Sequence, residues 1–261
     1  MKELKELEAA AIAAGEAAGR VIEESRPAGV RFKGKIDLVT EVDLRAESVI
    51  RETLERLTPG IAILAEEGGG ARDARTRWIV DPLDGTTNFV HGFPFYCVSI
   101  ALELDGELAC GVIRDPVRGV TYSATRGGGA TANGEPLRVS STSNLNEALL
   151  ASGFAYDRRE RADFYLRYVK AFMERAQGFR RCGSAAMDLV MVARGELDGY
   201  WEFGLNPWDV AAGALLVSEA GGRVSEMNCA PLDLEKPKIL ATNSLIHEEM
   251  AGIIRELEGA I

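Results

Sequence analysis

The stretch Trp78-Ile79-Val80-Asp81-Pro82-Leu83-Asp84-Gly85-Thr86-Thr87-Asn88-Phe89 opens as a buried strand and closes as a helix. Trp78-Ile79-Val80 is apolar and β-branched, suited to the inside of a sheet. Pro82 removes a ladder donor and is expected to end the strand at Asp81, with Asp84-Gly85 continuing the turn. Thr86-Thr87-Asn88 then reads as the start of a short helix. Asp81 and Asp84, close together on a tight turn, aim into one small volume. Behind them lie Gly85, which allows close approach to the backbone, and N–H groups at a helix start, which attract anions. Carboxylates beside an anion-seeking helix end need a cation between them, so the stretch reads as a site for divalent metal and phosphate.

Outward from that turn, the chain has the size and balance of a folded globular protein. Its 261 residues suffice for one large domain or two modest ones sharing a core. A 46% hydrophobic content and a formal charge of −10 argue against nucleic acid as a partner. No apolar run reaches the roughly 20 residues that a bilayer span requires. The charged start Met1-Lys2-Glu3-Leu4-Lys5-Glu6 lacks a signal-peptide apolar core, which makes the cytoplasm the expected location. Cys97, Cys110, Cys182 and Cys229 form no Cys-x-x-Cys pair and read as buried free thiols. His91 and His247, the only histidines, cannot build an imidazole-rich metal site.

Periodicity places a helix over residues 3–24, stopping before Pro27, and a second with Ala46, Val49, Ile50, Thr53, Leu54 and Leu57 on one face. The second starts near Thr40 to Asp43, so Asp43 is either a first-turn capping acid or a site residue. Ile61–Ala65 is an apolar strand running into Glu66-Glu67-Gly68-Gly69-Gly70. Alone those acids would be a solvated turn, but a second acidic strand end follows soon after, and the two are expected to be neighbours in one sheet. Residues 95–104 and 108–114 flank Asp105-Gly106, a type I′ hairpin signal. Strands at 120–124 and 137–139 complete an antiparallel meander, with Gly127-Gly128-Gly129 a turn and not a phosphate loop. Beyond Ser140–Asn144 strands (147–152, 197–202, 223–227, 238–242) alternate with helices (160–176, 185–193, 207–220, 246–257). This sets an expected boundary between residues 1–143 and 144–261.

Glu66, Asp81, Asp84 and Asp209 are the acids that compete for the site. Asp209 follows Pro207 at a helix start, where it complements the dipole. The helix after it is apolar enough to be buried, and no basic residue stands nearby in sequence to partner a buried carboxylate. Oxygen donors from separate segments, without an imidazole or thiolate set, favour Mg²⁺ or Mn²⁺ over zinc. Two ions roughly 3.5–4 Å apart would activate water on one side of a phosphorus and stabilise the leaving oxygen on the other. Asp81 is the natural bridging ligand, and Thr86, aided by Asp43, could orient the attacking water. Thr86 as a helix N-cap is the plainer alternative.

Asp81-Pro-Leu-Asp84-Gly85-Thr86-Thr-Asn88-Phe89 and Trp208-Asp209-Val-Ala-Ala-Gly213 resemble the two signatures of the inositol monophosphatase family, which are Mg²⁺-dependent, lithium-sensitive phosphatases. Glu66-Glu67 and Asp37-Leu-Val-Thr-Glu-Val-Asp43 match the family in the same order, so the resemblance covers nearly the whole chain. It implies that Glu66, Asp81, the Leu83 carbonyl, Asp84 and Asp209 bind two or three metal ions. By the same resemblance Thr86 and Asp43 hold the nucleophilic water, Glu67 lies near an outer metal, and the Gly85 and Thr86 N–H groups grip the phosphate. Gly183, Ser184, Ala185 and Glu202 match positions that contact substrate hydroxyls, although Glu202 also reads as a solvated strand end. Arg180 and Arg181 face either the site or a subunit interface. The Lys33-Gly34-Lys35 loop is shorter than in animal members and is similar to that of bacterial and archaeal ones. The implied fold is a layered α-β-α-β-α sandwich, with an N-terminal largely antiparallel sheet and a C-terminal mixed sheet; the implied assembly is a homodimer.

The expected activity is hydrolysis of a small phosphate monoester, foremost myo-inositol monophosphate, by direct attack of water. The rival substrates are fructose 1,6-bisphosphate, histidinol phosphate, NADP and 3′-phosphoadenosine 5′-phosphate. A non-catalytic interaction protein on the same fold is the alternative of another class.

Overall fold

The computed structural model describes residues 2–26, 29–33 and 38–259. Pro27, the expected helix stop, and Gly34, Lys35 and Asp37 of the basic loop lie outside the described residues. The first half of the chain runs α1 (Lys2–Glu23), β1 (Arg31–Phe32), β2 (Leu38–Val39), α2 (Glu41–Leu57), β3 (Ala62–Ala65), β4 (Gly69–Gly70), β5 (Arg77–Asp84) and α3 (Thr86–His91). The meander follows as β6 (Cys97–Leu104), β7 (Glu107–Asp115), β8 (Val120–Thr125), β9 (Gly129–Ala132) and β10 (Glu135–Pro136). The last part is β11 (Leu149–Ser152), α4 (Ala162–Met173), β12 (Gly178–Arg180), α5 (Ala185–Ala193), β13 (Gly199–Phe203), α6 (Pro207–Glu219), β14 (Arg223–Glu226), β15 (Lys238–Thr242) and α7 (His247–Gly259).

Five layers result. An eight-stranded sheet, ordered β10-β9-β8-β7-β6-β5-β3-β4, is antiparallel except where β3 runs parallel to β5. A five-stranded mixed sheet is ordered β12-β11-β13-β15-β14. Helices α1 and α2 cover the outer face of the first sheet, and α4 and α7 the outer face of the second. Helices α5 and α6 fill the space between the sheets. Their position explains their composition. A helix with a sheet on each side buries its whole circumference, and α5 is buried at every one of its 9 residues. In contrast, α2 interleaves buried Val42, Ala46, Ile50 and Leu54 with charged residues. The α5–α6 layer also demands small residues, because a Cβ on Gly111 of β7 would lie 2.9 Å from the Ala212 carbonyl oxygen of α6.

One core holds Ile79, Ile113 and Tyr122 of the first sheet against Met187, Leu189, Val210 and Leu216. That core also takes in Tyr200, Ile239 and Ala241 of the second sheet, so apolar packing runs across the expected division at residues 143 and 144. Asp105 and Gly106 both have positive φ (56° and 87°), as a type I′ hairpin requires. The Gly127–Gly129 segment is a turn whose N–H groups donate to Glu219 at the end of α6 (2.8 and 2.9 Å). No strand covers residues 137–139; the pairing there ends with β10, where Pro136 lacks an N–H to continue the ladder. All four thiols are free, with Cys97 and Cys110 buried and Cys182 and Cys229 half-buried. Among the described residues no helix is long and apolar enough to cross a membrane.

At the start of α7, His247 is fully buried between Ser225 Oγ (2.9 Å) and Thr242 Oγ1 (3.0 Å). Burial, reinforced by Arg223, lowers its pKa from 6.5 to about 4. The unfolded chain therefore takes up the proton first as pH falls. The contribution of the neutral imidazole is complete above pH 6.5 and is lost as pH drops towards about 4. Measured as thermal or denaturant unfolding at matched pH, the wild type is expected to lose on the order of 3 kcal/mol relative to His247→Gln across that window. A pH-independent difference between the two would refute the assignment.

Candidate active site

The phase of β5 sets the site. On a regular strand, residues three apart face opposite sides of the sheet. Opposite β6, however, Asp81 pairs with Ser99 and Asp84 with Cys97, so three steps on one strand match two on the other. This bulge carries the strand through Pro82 to Asp84, beyond its expected end at Asp81, and brings both carboxylates to one cleft. Glu66 joins them because β3 lies parallel to β5 with Ala65 beside Val80, so both strands reach the cleft at their C-terminal ends. Asp209 enters from the first turn of α6, which Ser99 anchors by donating to the Trp208 carbonyl (3.0 Å). Glu66, Asp81, Leu83, Asp84, Gly85, Thr86, Gly183, Ser184, Ala185, Glu202 and Asp209 all line this cleft.

Each acid has a buttress. Asp81 Oδ1 accepts from the Leu83 N–H (3.0 Å), closing the bulge. Asp84 Oδ2 accepts from Ser184 Oγ and the Ala186 N–H, both at 2.7 Å, which ties β5 to the start of α5. Asp209 Oδ2 accepts from the Asn206 N–H (2.7 Å) in a capping box, leaving its other oxygen for the cleft. Asp43 is the first-turn capping acid that its position suggests, and it also reaches Thr86. Its Oδ2 caps α2 by accepting from Thr40 N–H (2.9 Å) and Thr40 Oγ1 (2.5 Å), while Oδ1 lies 2.9 Å from Thr86 Oγ1. Thr86 is not an N-cap: Gly85 holds that position in the left-handed region (φ 94°), and Thr86 is the first helical residue. Gly85 is needed for that φ and because a Cβ would meet the Phe95 carbonyl at 3.0 Å.

The electrostatics are those of a cation-seeking pocket. Burial, then the charges of Glu66, Asp84 and Asp209, push Asp81 well above the carboxylate range. Burial likewise raises Asp209, and raises Asp84 to about 6 against the opposing bonds from Ser184 and Ala186. Glu66 and Asp81 lie close enough that each acts on the other's carboxyl. Lys33 is seated there, with Nζ 2.7 Å from Glu66 and 2.5 Å from Glu67. Burial disfavours its charge, but the attractions of and hydrogen bonds to Glu66 and Glu67 together outweigh this and raise its pKa. Glu67 is pushed up to about 7 by burial. Among the described residues no three His, Cys, Asp or Glu side chains already close on a single ion position; Glu66 is engaged by Lys33 instead. The donor set fits a hard divalent cation. It is carboxylate and carbonyl oxygen throughout, and Cys97, whose thiol feels the charges of Asp84 and Asp81, is driven well up by burial and is no thiolate.

Sequence reasoning missed several supports. Glu47 of α2 accepts the Glu67 and Gly68 N–H groups (both 2.9 Å) and is held by Arg51 (2.8 Å), which fixes the acidic loop. Its place on the buried face beside Ala46 and Ile50 was the available signal. Asn88 Nδ2 donates to the Phe95 and Cys182 carbonyls (2.7 and 2.9 Å), docking α3 against the segment that carries Gly183. Glu202 is not a solvated strand end: it is 7% exposed and accepts from the Tyr200 hydroxyl. Burial raises its pKa to about 7. Arg181 lines the cleft over the Phe154 ring, whereas exposed Arg180 does not line it.

The sequence model of the inositol monophosphatase family matches residues 3–259. The chain is 49% identical to an inositol-1-monophosphatase of Synechocystis sp. over 225 residues, covering 85% of this chain and 78% of the relative. It is 45% identical to the Nus factor SuhB of Pseudomonas aeruginosa over 241 residues, covering 90% and 89%. The solved inositol monophosphatase of Anabaena (Nostoc) sp. PCC 7120 superposes with a TM-score of 0.88 at 42% identity, covering 97% of each chain. Fold and relatives together define a phosphoric monoester hydrolase. The chain belongs to the inositol monophosphatase family, whose members are metal-dependent.

The Asp84–Ser184 bond joins segments 100 residues apart, and Ser184 also caps α5 by accepting from Met187 N–H (3.3 Å). Ser184→Ala is therefore expected to lower the unfolding free energy by about 1–3 kcal/mol. Denaturant unfolding indistinguishable from wild type would show that the latch contributes nothing.

Proposed function

We propose that the protein hydrolyses a small phosphate monoester with Mg²⁺ as cofactor, and that myo-inositol monophosphate is the substrate to test first. The observation behind this is that Glu66, Asp81, Asp84 and Asp209 come from three separate segments to one cleft beside the start of α3. Glu66, Asp81, the Leu83 carbonyl, Asp84 and Asp209 would hold two or three divalent ions, Mg²⁺ or Mn²⁺, which supply positive charge for phosphate oxygens and acidify water. Glu67 sits where it would reach an outer ion. Thr86 Oγ1 lies between Asp43 Oδ1 (2.9 Å) and the Leu83 carbonyl (3.0 Å). Its proton is thereby committed, so its lone pairs face the cleft and hold the attacking water. The Gly85 and Thr86 N–H groups are the phosphate grip, and Gly183, Ser184, Ala185 and Glu202 receive the alcohol moiety. The cleft hydroxyls of Thr86 and Ser184 donate to Asp43 and Asp84, carboxylates that in this scheme serve to cap α2 and to hold metal, so direct attack by water is the route.

Fructose 1,6-bisphosphate, histidinol phosphate, NADP and 3′-phosphoadenosine 5′-phosphate are the rival substrates. A cytoplasmic homodimer is the expected assembly. Relatives named Nus factor SuhB, at 45% identity in one case, favour a second reading in which the same fold serves a non-catalytic interaction. Mg²⁺ binding without phosphate release from any of these esters would support that alternative.

Asp81→Asn and Asp209→Asn are expected to lower kcat by at least about 100-fold while far-UV circular dichroism stays unchanged. Chelation with EDTA is expected to abolish wild-type turnover and added Mg²⁺ to restore it. Near-normal turnover of either purified variant, or full activity in EDTA, would overturn the scheme.

A further inference from the structure

Asp188 is a polar residue in the wrong company. Helix α5 reads Ala-Ala-Met-Asp-Leu-Val-Met-Val-Ala and is buried along its whole length, and Asp188 is its single charged side chain. The residue is 1% exposed, and its Oδ1 has no hydrogen-bond partner. The Cys182 thiol lies beside its carboxyl. Buried polar atoms are nearly always satisfied, and an apolar side chain of the same shape would fit this helix better. The exception lies at a cavity wall, since Asp188 lines the cleft together with Glu202 and Asp84. Glu202 is held beside it by the Tyr200 hydroxyl and by Gly153, where a Cβ would collide with the Glu202 carboxylate.

Two carboxyl groups at the α5–β13 wall present oxygens that accept hydrogen bonds from neutral hydroxyls, with Arg158 and Arg181 lining the same cleft. We propose that Asp188 is a specificity residue, its free Oδ1 accepting a hydrogen bond from a hydroxyl of the alcohol moiety while Glu202 engages a neighbouring hydroxyl. The favoured substrates are then phosphate esters of polyols, with hydroxyls spaced to meet both groups. This rests on the phosphatase reading above and deepens it by naming the part of the substrate that α5 recognises.

The test compares the full-length wild type with Asp188→Leu and Asp188→Asn in Mg²⁺. The substrates are myo-inositol 1-phosphate, glucitol 6-phosphate and p-nitrophenyl phosphate, whose leaving group carries no further hydroxyl. For Asp188→Leu the ratio of kcat/KM on the polyol esters to that on the nitrophenyl ester is expected to fall about 10–100-fold. Its Tm is expected to equal or exceed that of the wild type, and Asp188→Asn should fall between. An unchanged ratio, or an equal loss on all three esters with a lowered Tm, would make Asp188 structural and overturn the proposal. A wild type that cleaves the nitrophenyl ester and neither polyol ester would also overturn it, while leaving the phosphatase reading intact. A wild type inert towards all three would remove both.

Discussion

Mutual repulsion among buried carboxylates is the constraint around which this molecule is built. Glu66, Asp81, Asp84 and Asp209 share a cleft from which much of the water is excluded, where like charges interact far more strongly than at the surface. The Lys33 ammonium supplies part of the balancing positive charge at Glu66 and Glu67. The surrounding structure answers the repulsion with fixed donors. Ser184 and Ala186 hold Asp84, Asn206 holds Asp209, Leu83 holds Asp81, and the Glu47–Arg51 pair pins the loop after Glu66. Acids so restrained keep their geometry whether or not the charge is balanced, which is the preorganisation an electrostatic catalyst needs.

The layering follows from the same requirement. Bringing strand ends of one sheet and the start of α6 to one point needs a helix pair lying between the sheets. Such a pair has to be apolar all round and thin enough for close approach. Gly111 against Ala212 and Gly213 against Leu189 are where that closeness is visible. Asp209 is then an acid at the capped end of an otherwise apolar helix, aimed at the strand ends of the other sheet.

Much of this could be read from the chain, and what could not has specific causes. The acids, the hairpin at Asp105-Gly106 and the alternation after residue 144 are local patterns of residue type and spacing. The bulge that turns Asp81 and Asp84 to one side was not legible, because Pro82 reads as a strand end and only pairing with β6 reveals the extra residue. Nor was the part played by Glu47, whose acceptors serve a loop 20 residues away. Asp188 was passed over because one acid in an apolar helix carries no periodic signal. Its meaning comes from the cavity it faces. Glu202 was half legible: its chemistry was evident, but its burial depends on Gly153, just past the end of neighbouring β11, and on Tyr200 two residues back on its own strand.

The cleft divides its labour along the chain. On the proposed function, residues before the expected boundary supply Asp43, Glu66, Asp81, Asp84 and Thr86 towards phosphate and water, and residues after it supply Ser184, Asp188 and Glu202 towards the alcohol, with Asp209 crossing over to the metal end. On that reading, side-chain substitutions at Asp188 and Glu202 would alter which alcohol is accepted without removing the bonds that hold Asp81 and Asp84. One exception follows from the geometry. Ser184 belongs to both ends, since its hydroxyl caps α5 and holds Asp84, so it is the position at which a change of substrate preference disturbs the metal-facing acids as well.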